Sequence, residues 1–376
     1  MTAANGRPAQ FSTRGAFLVA GLAMSSLAPQ VPLVKARLGI QEHTLGLLLL
    51  CVGIGSVMVM PFAGGLAGRF GCRRVIVTAA LILCAALPVL ATGGSLPVLA
   101  AALFVFGAAG GTLDVTMNVQ AVMVEEASGR AMMSGFHGLF SVGALFGAGG
   151  MTLLMSNGVS PVIAQMVIVG ACLLLIAASA PYLLSYGSSG DAPPFALPHG
   201  RVLALGVLCF VLFMAEGSVG DWSGVFMVEA HHLPVTQSAY GYVAFMGMMT
   251  LNRLLGDPIV AFLGPQRMVF LGSLLAAFGF LGAAFSPWWG FSIVGFGIAG
   301  IGVANVVPVL FSAAGRQSAM PANLAVSAVT TMGYAGFLLG PPGIGRIAHD
   351  ASLSLAFALL ALLLGIVSLS SRIVPR

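Results

Sequence analysis

Phe106–Asn118 reads FGAAGGTLDVTMN and sets a carboxylate, Asp114, in the middle of a run otherwise too apolar for water. An ionisable side chain inside a membrane is expensive unless it faces a cavity or a partner, so Asp114 is a candidate functional residue from its setting alone. The stretch has an echo. Phe106, Gly107, Ala109 and Gly110 return as Phe296, Gly297, Ala299 and Gly300, in a second run that carries Asn305 and Pro308 where the first carries Asp114 and its neighbours. Two related halves are implied.

Composition sets the environment. Of 376 residues, 59% are hydrophobic and 7% charged, with a mean hydropathy of +1.04, whereas soluble domains carry about a quarter charged residues. Twelve apolar segments can be drawn, at 12–32, 44–67, 75–93, 97–119, 132–155, 160–184, 201–225, 237–256, 267–285, 288–311, 322–345 and 352–371. Each suits a bilayer core, which takes roughly 20 helical residues. The one long polar interval, SYGSSGDAPPFALPHG from Ser185 to Gly200, is rich in Gly, Ser and Pro and divides six spans from six. The expected fold is therefore an all-α integral membrane protein of twelve transmembrane helices in two six-helix bundles, residues 1–185 and 201–376, joined by a cytoplasmic linker at 186–200. Arg14 and Arg201 open the first span of each half, as a parallel repeat requires.

The net charge of +5 is spread singly over loops, without the basic clusters and interleaved aromatics that would bind nucleic acid. Topology explains the charges better. With the N-terminus inside, Arg7, Arg14, Arg69, Arg73, Arg74, Arg130, Arg201, Arg253, Arg267, Arg316, Arg372 and Arg376 fall on the cytoplasmic side and only Lys35, Arg37 and Arg346 outside. Both termini and Ser188 are expected to be cytoplasmic, His231 on the outer face, and the chain to lie in a bacterial cytoplasmic membrane. Cys51, Cys72, Cys84, Cys172 and Cys209 fall in spans or at a cytoplasmic turn, so no disulfide is expected. The first apolar run follows Arg7 and Arg14 as a signal peptide would, but Pro29 and Pro32 stand in place of a small-residue cleavage site; it is expected to be retained as the first span.

Several polar groups stand out inside the spans. In the first, Ser26 and Gln30 lie four apart on one helical face; such hydroxyls either bond their own backbone or line a cavity. In the fourth, Asp114, Asn118 and, about three turns on, Glu125 form a stripe leading toward the cytoplasm. Ser134–Gly138 opens the fifth span and contains His137, which can relay a proton or cap an interfacial helix end. Gly143 and Gly147 follow at small-xxx-small spacing, and Gly336 and Gly340 give the eleventh span a comparable face. Span seven ends with Glu216, Asp221, Trp222 and Ser223. Glu216 and Ser223 share a face, Asp221 is turned about 140° away, and Trp222 reads as an interfacial anchor or as a platform for a sugar ring.

Other chemistry lacks its context. His231 and His232 are adjacent, point apart and have no second Cys or His pair to complete a metal site. Gly295–Gly300 spells G-x-G-x-x-G but lies within an apolar span, and no G-x-x-x-x-G-K-S/T, H-E-x-x-H or G-x-S-x-G occurs. No cofactor, metal or enzymatic activity is expected.

The turn after the second span reads GGLAGRFGCRR from Gly64 to Arg74. It resembles the G-x-x-x-D-R/K-x-G-x-R/K-R/K loop of the major facilitator superfamily at Gly64, Arg69, Gly71, Arg73 and Arg74, with Gly68 where that family usually has Asp. The corresponding turn of the second half, Asp257 to Arg267, matches only at Gly264 and Arg267. The spans and the linker extend the resemblance over essentially the whole chain, and the span-four pattern, Phe136-His137-Gly138 and Glu216 with Asp221-Trp222 are similar to a bacterial branch related to fucose-permease-type sugar permeases. The resemblance implies a monomeric secondary transporter that moves a small solute, a sugar or related polar metabolite, by alternating access. The family's first, fourth, seventh and tenth helices line a cavity, here with Ser26, Gln30, Asp114, Asn118, Glu216 and Asn305; Asp221 and Trp222 extend the candidate substrate residues. Protons are the natural coupling ion, with Asp114, Glu216 and His137 as candidate carriers and the Gly64–Arg74 turn as the conformational loop. Proton-driven efflux of drugs or metabolites is the alternative within the class; a membrane sensor or membrane-embedded enzyme is the alternative outside it.

Overall fold

Long apolar runs can satisfy their backbone polar groups without water only by bonding within the segment, so helices form. The computed structural model describes residues 3–187, 195–234 and 237–375; residues 188–194 of the expected linker, Ser188 among them, lie outside the described residues. The α-helices are α1 (Arg7–Ser25), α2 (Val31–Leu38), α3 (Glu42–Phe70), α4 (Cys72–Thr92), α5 (Leu96–Ser128), α6 (Met133–Ser156), α7 (Pro161–Ser179), α8 (Gly200–Glu229), α9 (Tyr240–Leu254), α10 (Gly256–Leu263), α11 (Pro265–Phe285), α12 (Trp289–Val303), α13 (Val306–Arg316), α14 (Ala322–Asp350) and α15 (Leu353–Leu369).

Among the described residues, 11 helical segments are long and apolar enough to cross a membrane. The expected eighth span, 237–256, differs: it is α9, only 15 residues long, followed by the short α10. Pro258 is the physical reason. It has no N–H to close on the Leu254 carbonyl, so the helix stops there and restarts one residue later.

Two compact units form. The first comprises Met1–Arg130, Leu139–Leu197 and Met320–Ser327, the second Ala131–Gly138, Pro198–Ala319 and Ala328–Arg376. Residues 131–138, at the start of α6, group with the second unit and residues 320–327, at the start of α14, with the first.

In the first unit α3 and α5 approach so closely that a Cβ on Gly107 would sit 2.0 Å from the Val52 carbonyl oxygen, and the Ser56 hydroxyl donates to the Gly107 carbonyl at 2.9 Å. Gly143 and Gly147 seat α6 on α1 in the same way, as Gly336 in the second unit seats α14 on α8. Small residues are what let membrane helices meet backbone to backbone. The second unit is packed around Phe226, Phe280, Phe296 and Phe357, whose rings interlock at centroid distances of 5.5 to 6.5 Å.

The turn between α3 and α4 needs its glycine. Gly71 has φ +82°, and a Cβ there would lie 2.1 Å from the Ser185 carbonyl oxygen. Gly264, between α10 and α11, repeats the conformation with φ +77°. The second copy of the motif, poor in sequence, keeps the backbone.

Candidate functional site

A polar constellation of the second unit sits where two interrupted helices meet. Pro308 in α13 lacks an N–H, so the Ala304 carbonyl at the α12–α13 break has no helical donor. The Nε of Arg253, at the end of α9, donates to it at 3.2 Å. Asn252 donates to the Ile301 carbonyl at 2.8 Å, and Asn305 returns a bond to the Asn252 carbonyl at 3.2 Å. The approach is tight enough that a Cβ on Gly256 would lie 2.1 Å from the Asn305 Oδ1. That oxygen is buried and has no hydrogen-bond partner among the described residues.

Arg253 is 5% exposed, and its guanidinium also faces the Glu216 carboxylate of α8 at 3.6 Å. This corrects its placement among the cytoplasmic loop charges. The asymmetry of the remaining arginines keeps its sign. His137, 8% exposed, lies in the same unit with its ring stacked on Phe311 at 5.6 Å. Asp257, one residue into α10, accepts the backbone N–H of Gly135 at 2.9 Å and so caps the first turn of α6. Glu216, Arg253, Asn252, Asn305 and His137 thus belong to one unit, and three of them were marked by the sequence. Arg253 and Asn252 were missed, although an Asn-Arg pair inside an apolar run, five residues before Pro258, was a usable signal.

Asp114 belongs to the first unit and is 7% exposed. The Asn118 amide donates to its backbone carbonyl at 2.9 Å and reaches its carboxylate at 3.4 Å. Glu125 is buried farther along α5. Gln120, on another face, accepts the Leu184 N–H and donates to the Thr13 hydroxyl.

Ser26 and Gln30 are buried and hydrogen-bonded. The Gln30 amide donates to Gln165 of α7, Gln165 donates to the Ser26 hydroxyl at 3.2 Å, and Ser26 donates to the Ala23 carbonyl at 2.8 Å. This chain ties the segment that follows α1 to α7. Trp222 stands apart from Glu216: it lines a cavity of about 490 Å³ with Glu229, Gly345 and His349 between α8 and the α14–α15 turn. Asp221 is exposed.

In the Gly64–Arg74 turn, the Gly64 carbonyl accepts the Asn323 amide at 2.8 Å and the Ser327 hydroxyl bonds the Met60 carbonyl. Arg69 lies over the Phe70 ring at 5.2 Å. Arg73 donates through Nε to the Leu183 carbonyl at 3.0 Å and through its guanidinium to that of Pro181, pinning the segment after α7. Arg74 is exposed. His231 is likewise engaged: Ser292 gives its hydroxyl proton to the Ala283 carbonyl, so the His231 Nε2, 2.7 Å from that hydroxyl, must be the donor.

Residues 15–261 match the family model of the Major Facilitator Superfamily. An uncharacterised MFS-type transporter of Yersinia pestis is 50% identical over 368 residues, 98% of this chain and 96% of that protein. The membrane protein MosC of Rhizobium meliloti is 30% identical over 342 residues, 90% of this chain and 84% of that one. Among solved structures, the Escherichia coli fucose:proton symporter FucP matches with a TM-score of 0.83 at 16% identity, over 98% of each chain. A human organic anion transporter matches at 0.77 and 14% identity, covering 97% of this chain and 99% of that one.

Proposed function

The chain belongs to the major facilitator superfamily, a family of multi-pass secondary transporters rather than enzymes, and from this premise we propose that it moves a small polar solute across a bacterial cytoplasmic membrane in exchange for the energy of a proton gradient. The observation that supports coupling is the burial of Asp114 within an apolar helix, in contrast to the partly exposed Glu216. Asp114 is buried on α5 with the Asn118 amide next to it; Glu216 is partly exposed and faces Arg253. A carboxylate buried within a membrane helix can take up and release a proton during the cycle, and a partly exposed one facing a guanidinium can contribute to positioning or gating. Asp114 is accordingly assigned to proton coupling, with Asn118 and Glu125 on the path toward the cytoplasm, and Glu216 to solute or gate contact. The positive-inside asymmetry supports cytoplasmic termini. The fold is one that a fucose:proton symporter uses, which makes protons and a sugar-sized polar solute the pair to test first.

The test uses proteoliposomes under an imposed proton gradient. Asp114→Asn should still exchange labelled solute for unlabelled solute and lose gradient-driven accumulation. Normal accumulation in Asp114→Asn together with its loss in Glu216→Gln would move the coupling group to α8.

A further inference from the structure

A trough in the first unit carries a feature that transport does not explain. It lies between α3, α4 and α5, has a volume of about 510 Å³, and is walled by apolar side chains that include Val59, Phe70, Ile82 and Val105. Ala79, Ala108 and Ala109 line it as well, and such short side chains leave room that larger ones would fill. Phe70, Ile82 and Val105 are each at least 42% exposed, so the trough opens sideways from the unit. On α4 it runs from Arg74 to Ile82, eight residues or about 12 Å of helix, close to the depth of one hydrocarbon leaflet, about 15 Å.

Its two ends differ in charge. Arg74 lies at the end next to the α3–α4 turn, and no acidic side chain lines any part of the trough. Arg74 has no hydrogen bond or ion pair among the described residues, in contrast to its neighbour Arg73, which is committed to two carbonyls. A second cation stands nearby, because Phe70, one of the walls, carries the Arg69 guanidinium over its ring. An apolar slot of leaflet depth with cations at its interfacial end matches a molecule with an acyl chain and an anionic headgroup, and basic pockets between membrane helices recognise such headgroups.

We propose that this trough is a binding site for one anionic phospholipid, with an acyl chain lying along α4 and the headgroup phosphate at Arg74, assisted by Arg69. The site is independent of the solute and of the coupling ion.

Native mass spectrometry of the detergent-purified full chain, titrated in parallel with phosphatidylglycerol and phosphatidylcholine, tests it. The wild type should retain phosphatidylglycerol about fivefold more strongly per engaged arginine, the fold-change expected for a basic residue near a headgroup. Arg74→Gln, a change at an exposed position, should bring the two lipids toward parity. Ala108→Leu, which fills the slot, should lower retention of both, and Arg130→Gln, remote from the trough, should behave as wild type. The proposal is overturned if the wild type shows no preference, if the preference survives Arg74→Gln, if Ala108→Leu retains lipid as the wild type does, or if inorganic phosphate displaces the lipid as effectively as more phosphatidylglycerol.

Discussion

Arg253 serves two acceptors at once, the Ala304 carbonyl that Pro308 leaves without a helical donor and the Glu216 carboxylate. Removing one member of a fully buried ion pair costs about 3 kcal/mol or more; here the Glu216 side chain is 23% exposed, so water offsets part of that cost. Arg253→Gln should therefore lower the thermal unfolding midpoint in detergent markedly, and adding Glu216→Gln should recover part of the loss, since the stranded charge goes with it. Equal loss in the single and double variants would show that Glu216 does not depend on Arg253. Asp114 could be read from sequence because nothing else charged lies near it in the chain. Arg253 could not, because an arginine toward the end of an apolar run looks the same whether it meets water or turns inward. Ser26 and Gln30 show a related limit: four-residue spacing puts them on one face, but only the packing of α7 decides that this face meets Gln165.

Helices were legible from apolar length, and their breaks less so, because a break depends on where a proline leaves a carbonyl and on what takes that carbonyl up. The α12–α13 break has Arg253 to take it; the α9–α10 break follows from Pro258 alone. Just past the end of α8, His231 donates to Ser292 on α12 and sets its ring edge-on to Phe226 at 5.3 Å. Burial, with His232 beside it, lowers the pKa of His231 below the usual histidine value. The unfolded chain then takes up a proton at a pH where the folded chain does not, so stability is present above about pH 6.5 and is lost as pH falls below that value toward the lowered pKa. The protonated ring keeps its Nε2 donor, so the loss comes from enclosing charge rather than from a broken bond. Unfolding midpoints between pH 7.5 and 5.5 should fall more steeply for the wild type than for His231→Asn; parallel curves would remove His231 from the account.

For the whole molecule, composition and charge asymmetry point to a multi-pass membrane protein before any motif is considered, and the repeat of Phe106–Gly110 at Phe296–Gly300 points to two halves. The finer symmetry escaped the sequence because it is carried by backbone: Gly71 and Gly264 adopt the same positive-φ, extended-ψ conformation amid side chains that no longer correspond. The interruption at Pro258 also bears on how the chain is made. A 15-residue α9 spans about 22 Å, short of a hydrocarbon core of about 30 Å, and it carries Asn252 and Arg253. Emerging from the ribosome, it is a poor candidate to partition into lipid unaided, and the carbonyls that accept both side chains arrive only with α12 and the residue that follows it. Membrane entry of this segment should wait for translation to pass Arg316. In nascent chains with cysteine at Met246, those halted after Leu263 should react with a membrane-impermeant maleimide, and those extended beyond Arg316 should be protected. Equal protection at both lengths would mean that α9 inserts without its later partner.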